Sequence, residues 1–181
     1  MGSLLTGVSR IRWGALRDAL GAPAGSVPPL LSRIAYGDAG TGRAAVDELG
    51  DAVCALGFVV GEATAPTVPF LLELIAAPHQ SCTAEVLELL ERILRTDTWH
   101  ASAAAAGRPE HGAFRQQPLW EVASRAAVNA GRPVVEVVAG SIRPDEAEAA
   151  RRLLRAMDEV RPFPELRAAR SPAGRGVRRP G

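Results

Sequence analysis

Lysine does not occur in the 181 residues, and all 21 basic side chains are arginine. A Walker-type phosphate loop needs a lysine behind its glycines. The stretch Gly37-Asp38-Ala39-Gly40-Thr41-Gly42 has none, and it follows a helical pattern, so it reads as a turn between two helices. Aromatic residues make up only 4%, while apolar residues reach 47%. That balance favours helices packed through small and aliphatic side chains over a β-sandwich, which wants aromatic and β-branched residues. Histidine occurs three times and cysteine twice, and neither G-x-S-x-G nor H-E-x-x-H is present. No apolar run is long enough to span a membrane, the longest being cut by Glu73. The opening MGSLLTGVSRIRWG carries polar residues and arginine where a secretory signal has an apolar core. A cytoplasmic location is the expectation.

Charge is unevenly spread. Residues 1–160 hold 15 Arg against 19 acidic residues, whereas 161–181 hold six Arg and Glu165 alone. A mildly acidic body argues against duplex nucleic acid as the main partner.

What the chain does contain is a repeat. Ser26-Val27-Pro28 and Thr67-Val68-Pro69 are 41 residues apart, and each precedes a dense apolar run. At the same offset Leu30, Leu31 and Ile34 fall on Leu71, Leu72 and Ile75. A Ser or Thr N-cap followed by proline marks a helix start, because the first amides of a helix have no intrahelical partner. The offset continues into second helices read over 43–56 and 83–96, where Val46, Leu49 and Val53 fall on Leu87, Leu90 and Leu94. A helix pair recurring every 41 residues lies in the HEAT and armadillo range, where units stack to bury faces they cannot bury alone. A degenerate third unit follows, with Pro133 opening 131–140 and its partner helix at 144–157. Residues 11–20 read as a short capping helix with Trp13, Leu16 and Leu20 on one face. Residues 118–131 read as a helix with Trp120, Val122, Ala123 and Ala127 inward.

The expected fold is therefore all-α: a short HEAT/armadillo-like α-solenoid of about three helix pairs with an N-terminal capping helix. Its expected limits are an extension over 1–10, the solenoid over 11–159, an insertion at 97–117 and a flexible Arg/Pro/Gly-rich tail over 160–181.

Trp13, Leu16, Val27-Pro28 with Leu30-Leu31, Asp47-Glu48-Leu49, the block Ala63-Thr64-Ala65-Pro66-Thr67-Val68-Pro69-Phe70-Leu71, and Arg125-Ala126-Ala127-Val128 before Gly131-Arg132-Pro133 carry a likeness. Through them the chain resembles the HEAT-repeat-containing proteins of actinomycetes over roughly 11–157. The resemblance implies a curved α-solenoid used for protein contacts, and it brings no catalytic residues.

Candidate chemistry is sparse. His79 and Cys82 make half of a zinc-type donor set, complete only with Cys54 folded nearby; the plainer reading is a turn histidine and two buried free thiols. His100 and His111 fall in the insertion and read as loop residues. No catalytic, cofactor or metal residue is assigned, and no cofactor is expected. Carboxylates recur on the second helices, with Glu88–Arg92 and Glu91–Arg95 as i,i+4 pairs. Second helices line the inner face of stacked pairs, so Asp47, Asp51, Glu88, Arg92 and Arg95 form an expected mixed-charge binding strip. The function expected is a non-catalytic, monomeric protein-binding module, a scaffold or an immunity- or antitoxin-like protein. The alternative is a helical-repeat nucleic-acid-binding protein or DNA glycosylase-like enzyme using Trp99, Trp120 and Arg115. A third is a metal-dependent enzyme at His79 and Cys82.

Overall fold

The computed structural model describes residues 4–78, 80–96 and 112–160, side chains of 112–118 excepted. The fold is mostly helical. Among the described residues the α-helices are α1 (Val27–Tyr36), α2 (Ala39–Val53), α3 (Thr64–Ala76), α4 (Thr83–Leu94), α5 (Gly112–Ala130), α6 (Arg132–Val138) and α7 (Pro144–Glu159). A two-stranded antiparallel hairpin, β1 (Cys54–Ala55) and β2 (Val59–Val60), separates α2 from α3.

Helices pack as consecutive pairs, α1 on α2, α3 on α4 and α6 on α7. Across pairs, α1 meets α3 and α3 meets α6, while α2 meets α4 and α4 meets α7. The molecule thus has a first-helix row and a second-helix row, and α5 lies against α3 and α4. Three pairs of side chains 41 residues apart, Val27 and Val68, Leu49 and Leu90, and Val53 and Leu94, are all fully buried. Leu31 and Leu72 differ. Leu31 is in the core, whereas Leu72 is half-buried and fills the space in front of Gly131, where an added Cβ would lie 2.4 Å from its methyl carbons.

The helix starts differ from the capping pattern expected of them. Ser26 occupies the N-cap of α1 but makes no side-chain cap bond. A capping oxygen accepts from the second or third helical amide, and those positions are Pro28 and Pro29, which have none. Helix α3 begins a turn before the repeat, at Thr64, so Thr67 is not its cap and Pro69 lies inside the helix. Threonines brace this extra turn. Thr64 Oγ1 accepts from the Gly61 amide at 2.9 Å and donates to the Val53 carbonyl at 2.6 Å, and Thr67 Oγ1 donates to the Ala63 carbonyl at 2.7 Å.

The glycine-rich 37–42 stretch is largely helix rather than turn. The Asp38 carboxylate accepts from the Thr41 amide at 2.7 Å and starts α2 at Ala39. That bond holds the Asp38 carboxyl below the usual carboxylate range. Gly42 is then where α2 meets the start of α4, and a Cβ there would sit 2.6 Å from Cys82 Sγ. At its far end α2 stops at Val53, not 56, and the hairpin turns through Leu56 (φ 55°) and Gly57 (φ 79°).

Residues 11–20 form no capping α-helix. Trp13–Ala15 is a single 3₁₀ turn, and Asp18 then accepts from the Leu20 and Ala22 amides at 2.9 and 2.8 Å, reversing the chain. Trp13 is buried beside Phe70, ring centroids 6.1 Å apart, while Leu20 is exposed. The segment before it is tied down: the Leu5 amide donates to Glu73 Oε1 at 2.9 Å, and Tyr36 OH donates to the Leu4 carbonyl at 3.2 Å. Helix α5 starts at Gly112, inside the segment read as an insertion; 97–111 and the tail 161–181 lie outside the described residues.

Candidate protein-binding face

The second-helix row brings the five strip residues onto two neighbouring helices, α2 and α4 with its C-cap. Asp47 and Asp51 are exposed on α2, Glu88 and Arg92 on α4, and Arg95 at the C-cap of α4. Helix-to-helix ion pairs cross the row. Arg43 of α2 reaches Glu85 of α4 at 2.8 Å, and Arg152 of α7 reaches Glu88 of α4 at 2.7 Å. Arg95 meets Glu91 at 3.0 Å and Glu159 of α7 at 3.1 Å, and both carboxylates raise its pKa. The expected Glu91–Arg95 pair is thus present. The expected Glu88–Arg92 pair is not: Glu88 turns to Arg152, and Arg92 leans toward the end of α2, 3.4 Å from where a Cβ on Gly50 would stand.

Below Arg92 sits Cys54. Burial pushes its thiol up to about 11, against a smaller opposite pull from the Arg92 charge. Cys82 is also a buried free thiol. It lies beside Gly42, and Cys54 follows twelve residues further along the same chain segment, about 18 Å at the helical rise. The two sulfurs are therefore at opposite ends of α2. Groups of three or more ligating side chains are absent among the described residues, and His79, His100 and His111 lie outside them. Trp99 lies there too, as does the side chain of Arg115; Trp120 is half-buried on α5.

Helix α5 holds what the sequence reading missed. Glu121, Ser124, Arg125 and Val128 are buried, while Leu119, Val122, Ala123 and Ala126 are exposed. Of the expected inward set, Val122 and Ala123 are corrected to exposed, whereas Trp120 is half-buried and Ala127 packs against the core. Burial holds the Arg125 guanidinium below its ordinary value. The apolar residues at i, i+3, i+4 and i+7 made a regular stripe, and the general rule turns such a stripe inward. Nothing in the local sequence signals the reversal.

Across the molecule, charge is segregated by row. Helices α2, α4 and α7 carry eleven acidic residues against five arginines, whereas α1, α3, α5 and α6 carry three against four. No described helix is long and apolar enough to cross a membrane. Set beside known proteins, the chain matches no family model, no curated protein and no solved structure.

Proposed function

We propose that this chain is a short HEAT-like solenoid that works by binding another protein along its second-helix row. The observation that carries the reading is the continuity of that row. Its charged side chains step from α2 to α4 to α7 through Arg43–Glu85 and Glu88–Arg152, which make the exposed face one continuous charged strip. Within the strip Asp47, Asp51 and Arg92 form no ion pair among the described residues and are left to a partner. The acidity of the row favours a basic partner surface and counts against nucleic acid on the same face. In the immunity-type form of this reading, the partner is a toxin encoded beside this chain.

The test is differential capture. A photo-crosslinking residue at position 51 is carried by tagged wild-type protein and by Asp47→Arg with Arg92→Glu. A protein crosslinked by the first and lost from the second is the expected result. Identical crosslinked sets from both would overturn the reading.

A further inference from the structure

We propose that two copies of this chain pair through the exposed face of α5 and α6, with these helices antiparallel about a two-fold axis at Val128. The face belongs to the first-helix row, so the pairing does not depend on the binding function proposed above for the second.

The two rows end differently. Inside the first row, α3 is covered on both flanks and leaves only Pro69 and Ala76 exposed. The second row ends at α7, where every exposed residue after Pro144 is charged. The outermost helix of a stacked array needs such a polar outer side. The first row ends at α5 and α6 without one. Between Leu119 and Val137 the one exposed charged residue is Glu136, and Arg132 on its own helix answers it at 3.7 Å.

The face runs unbroken from one helix into the next. Gly131 keeps a helical backbone (φ −79°, ψ −2°), and burial steps through it by threes and fours, from Val128 to Gly131, Val135 and Val138. The opposite side of α5 and α6 is therefore one strip, about 27 Å long at the helical rise.

The strip also matches itself when reversed. Leu119 and Val137, Ala123 and Pro133, and Ala126 and Ala130 are all exposed, and the members of each pair lie equally far on either side of 128. Under a two-fold axis there, each residue meets the other member of its pair on the second copy. The alanines fall at the centre, where they let the helices approach, and Leu119 meets Val137 at both ends. Asn129 is exposed one residue from the axis, so the two copies' amides come together there. An asparagine in an apolar helix seam fixes the register of pairing. A strip about 27 Å by 10 Å, covered on both copies, removes on the order of 1,000 Å² from water, which is the lower limit for a specific complex. The dimer is accordingly weak, with a Kd of about 10–100 μM.

Sedimentation velocity on the full chain across that concentration range tests it. The sedimentation coefficient is expected to rise from a monomer's to a dimer's, and to do so equally in about 1 M salt, because the seam is apolar. Leu119→Glu and Val137→Glu should each weaken association at least tenfold, while Leu20→Glu, at an exposed site off this face, should leave it unchanged. Cysteine pairing checks the direction. An oxidised mixture of Leu119→Cys and Val137→Cys chains should give a disulfide between the two variants. Either variant alone should give none, because its two cysteines are about 27 Å apart in the dimer. A chain that stays monomeric to about ten times the expected Kd would overturn the proposal. So would association unaffected by both glutamates, association weakened as much by Leu20→Glu, or a disulfide formed by Leu119→Cys with itself.

Discussion

Leu56 is one of two non-glycine residues at positive φ among the described residues, and the more exposed of them. It is 80% exposed and held at φ 55°, a region that costs an ordinary side chain about 1–2 kcal/mol and that asparagine tolerates. It gains little packing to offset that cost. Leu56→Asn should raise unfolding free energy by about 0.5–1 kcal/mol, read as a higher urea midpoint at unchanged slope. Gly42 shows the opposite logic. Glycine inside a helix costs up to about 1 kcal/mol against alanine, yet here a Cβ would stand 2.6 Å from the buried Cys82 sulfur. Gly42→Ala should therefore destabilise by about 1–3 kcal/mol through overpacking. In the Cys82→Ala background the same change should be nearly neutral, so the two substitutions are expected to couple strongly in a double-mutant cycle.

At the scale of the element, the sequence showed which segments are helices better than how they begin or which way they face. The 41-residue offset picked out segments that are helical in α1 to α4, and Val27 and Val68, like Leu49 and Leu90, are buried in them. Residue type alone does not make a cap: Ser26 has no amide to accept from at Pro28 or Pro29. Ser26→Ala should accordingly change stability by no more than about 0.5 kcal/mol, whereas Thr64→Val strands a buried amide and carbonyl and should cost about 1–3 kcal/mol. The hairpin at 54–60 was invisible because two-residue strands carry no periodicity. Helix α5 was legible as a helix and illegible in orientation, since its stripe of apolar residues faces out and a glutamate and an arginine face in. Urea titration of paired variants separates the two orientations. Leu119→Gln, at a 68% exposed position, should stay within about 0.5 kcal/mol of wild type, and Ser124→Leu, at a fully buried one, should lose about 1–3 kcal/mol. The candidate strip was legible as far as helix and exposure. The sequence could not show that Glu88 would find Arg152, 64 residues away, in place of Arg92 four residues away, because that choice is made by helix packing.

For the whole molecule, the question is what joins one helix pair to the next, the charged strip or the core beneath it. The ion pairs across the row are exposed, with Arg152 and Glu88 side chains 37% and 55% accessible. Pairs so placed are worth about 0.2–1 kcal/mol and are screened by salt. On the same three helices Leu49, Leu90 and Leu153 are fully buried, and Leu→Ala at such sites costs about 2–5 kcal/mol. Cohesion between the helix pairs therefore belongs to the core, and the surface pairs set the pattern of charge on the exposed face. The cycle Glu88→Ala with Arg152→Ala should return a coupling below about 1 kcal/mol that fades at high salt. Leu90→Ala should lower the urea midpoint several times as far as either single charge variant. A coupling as large as the Leu90→Ala loss would mean that the strip itself holds the row together. Its charges would then be structural, and the free energy of binding a partner there would have to be drawn from the stability of the fold.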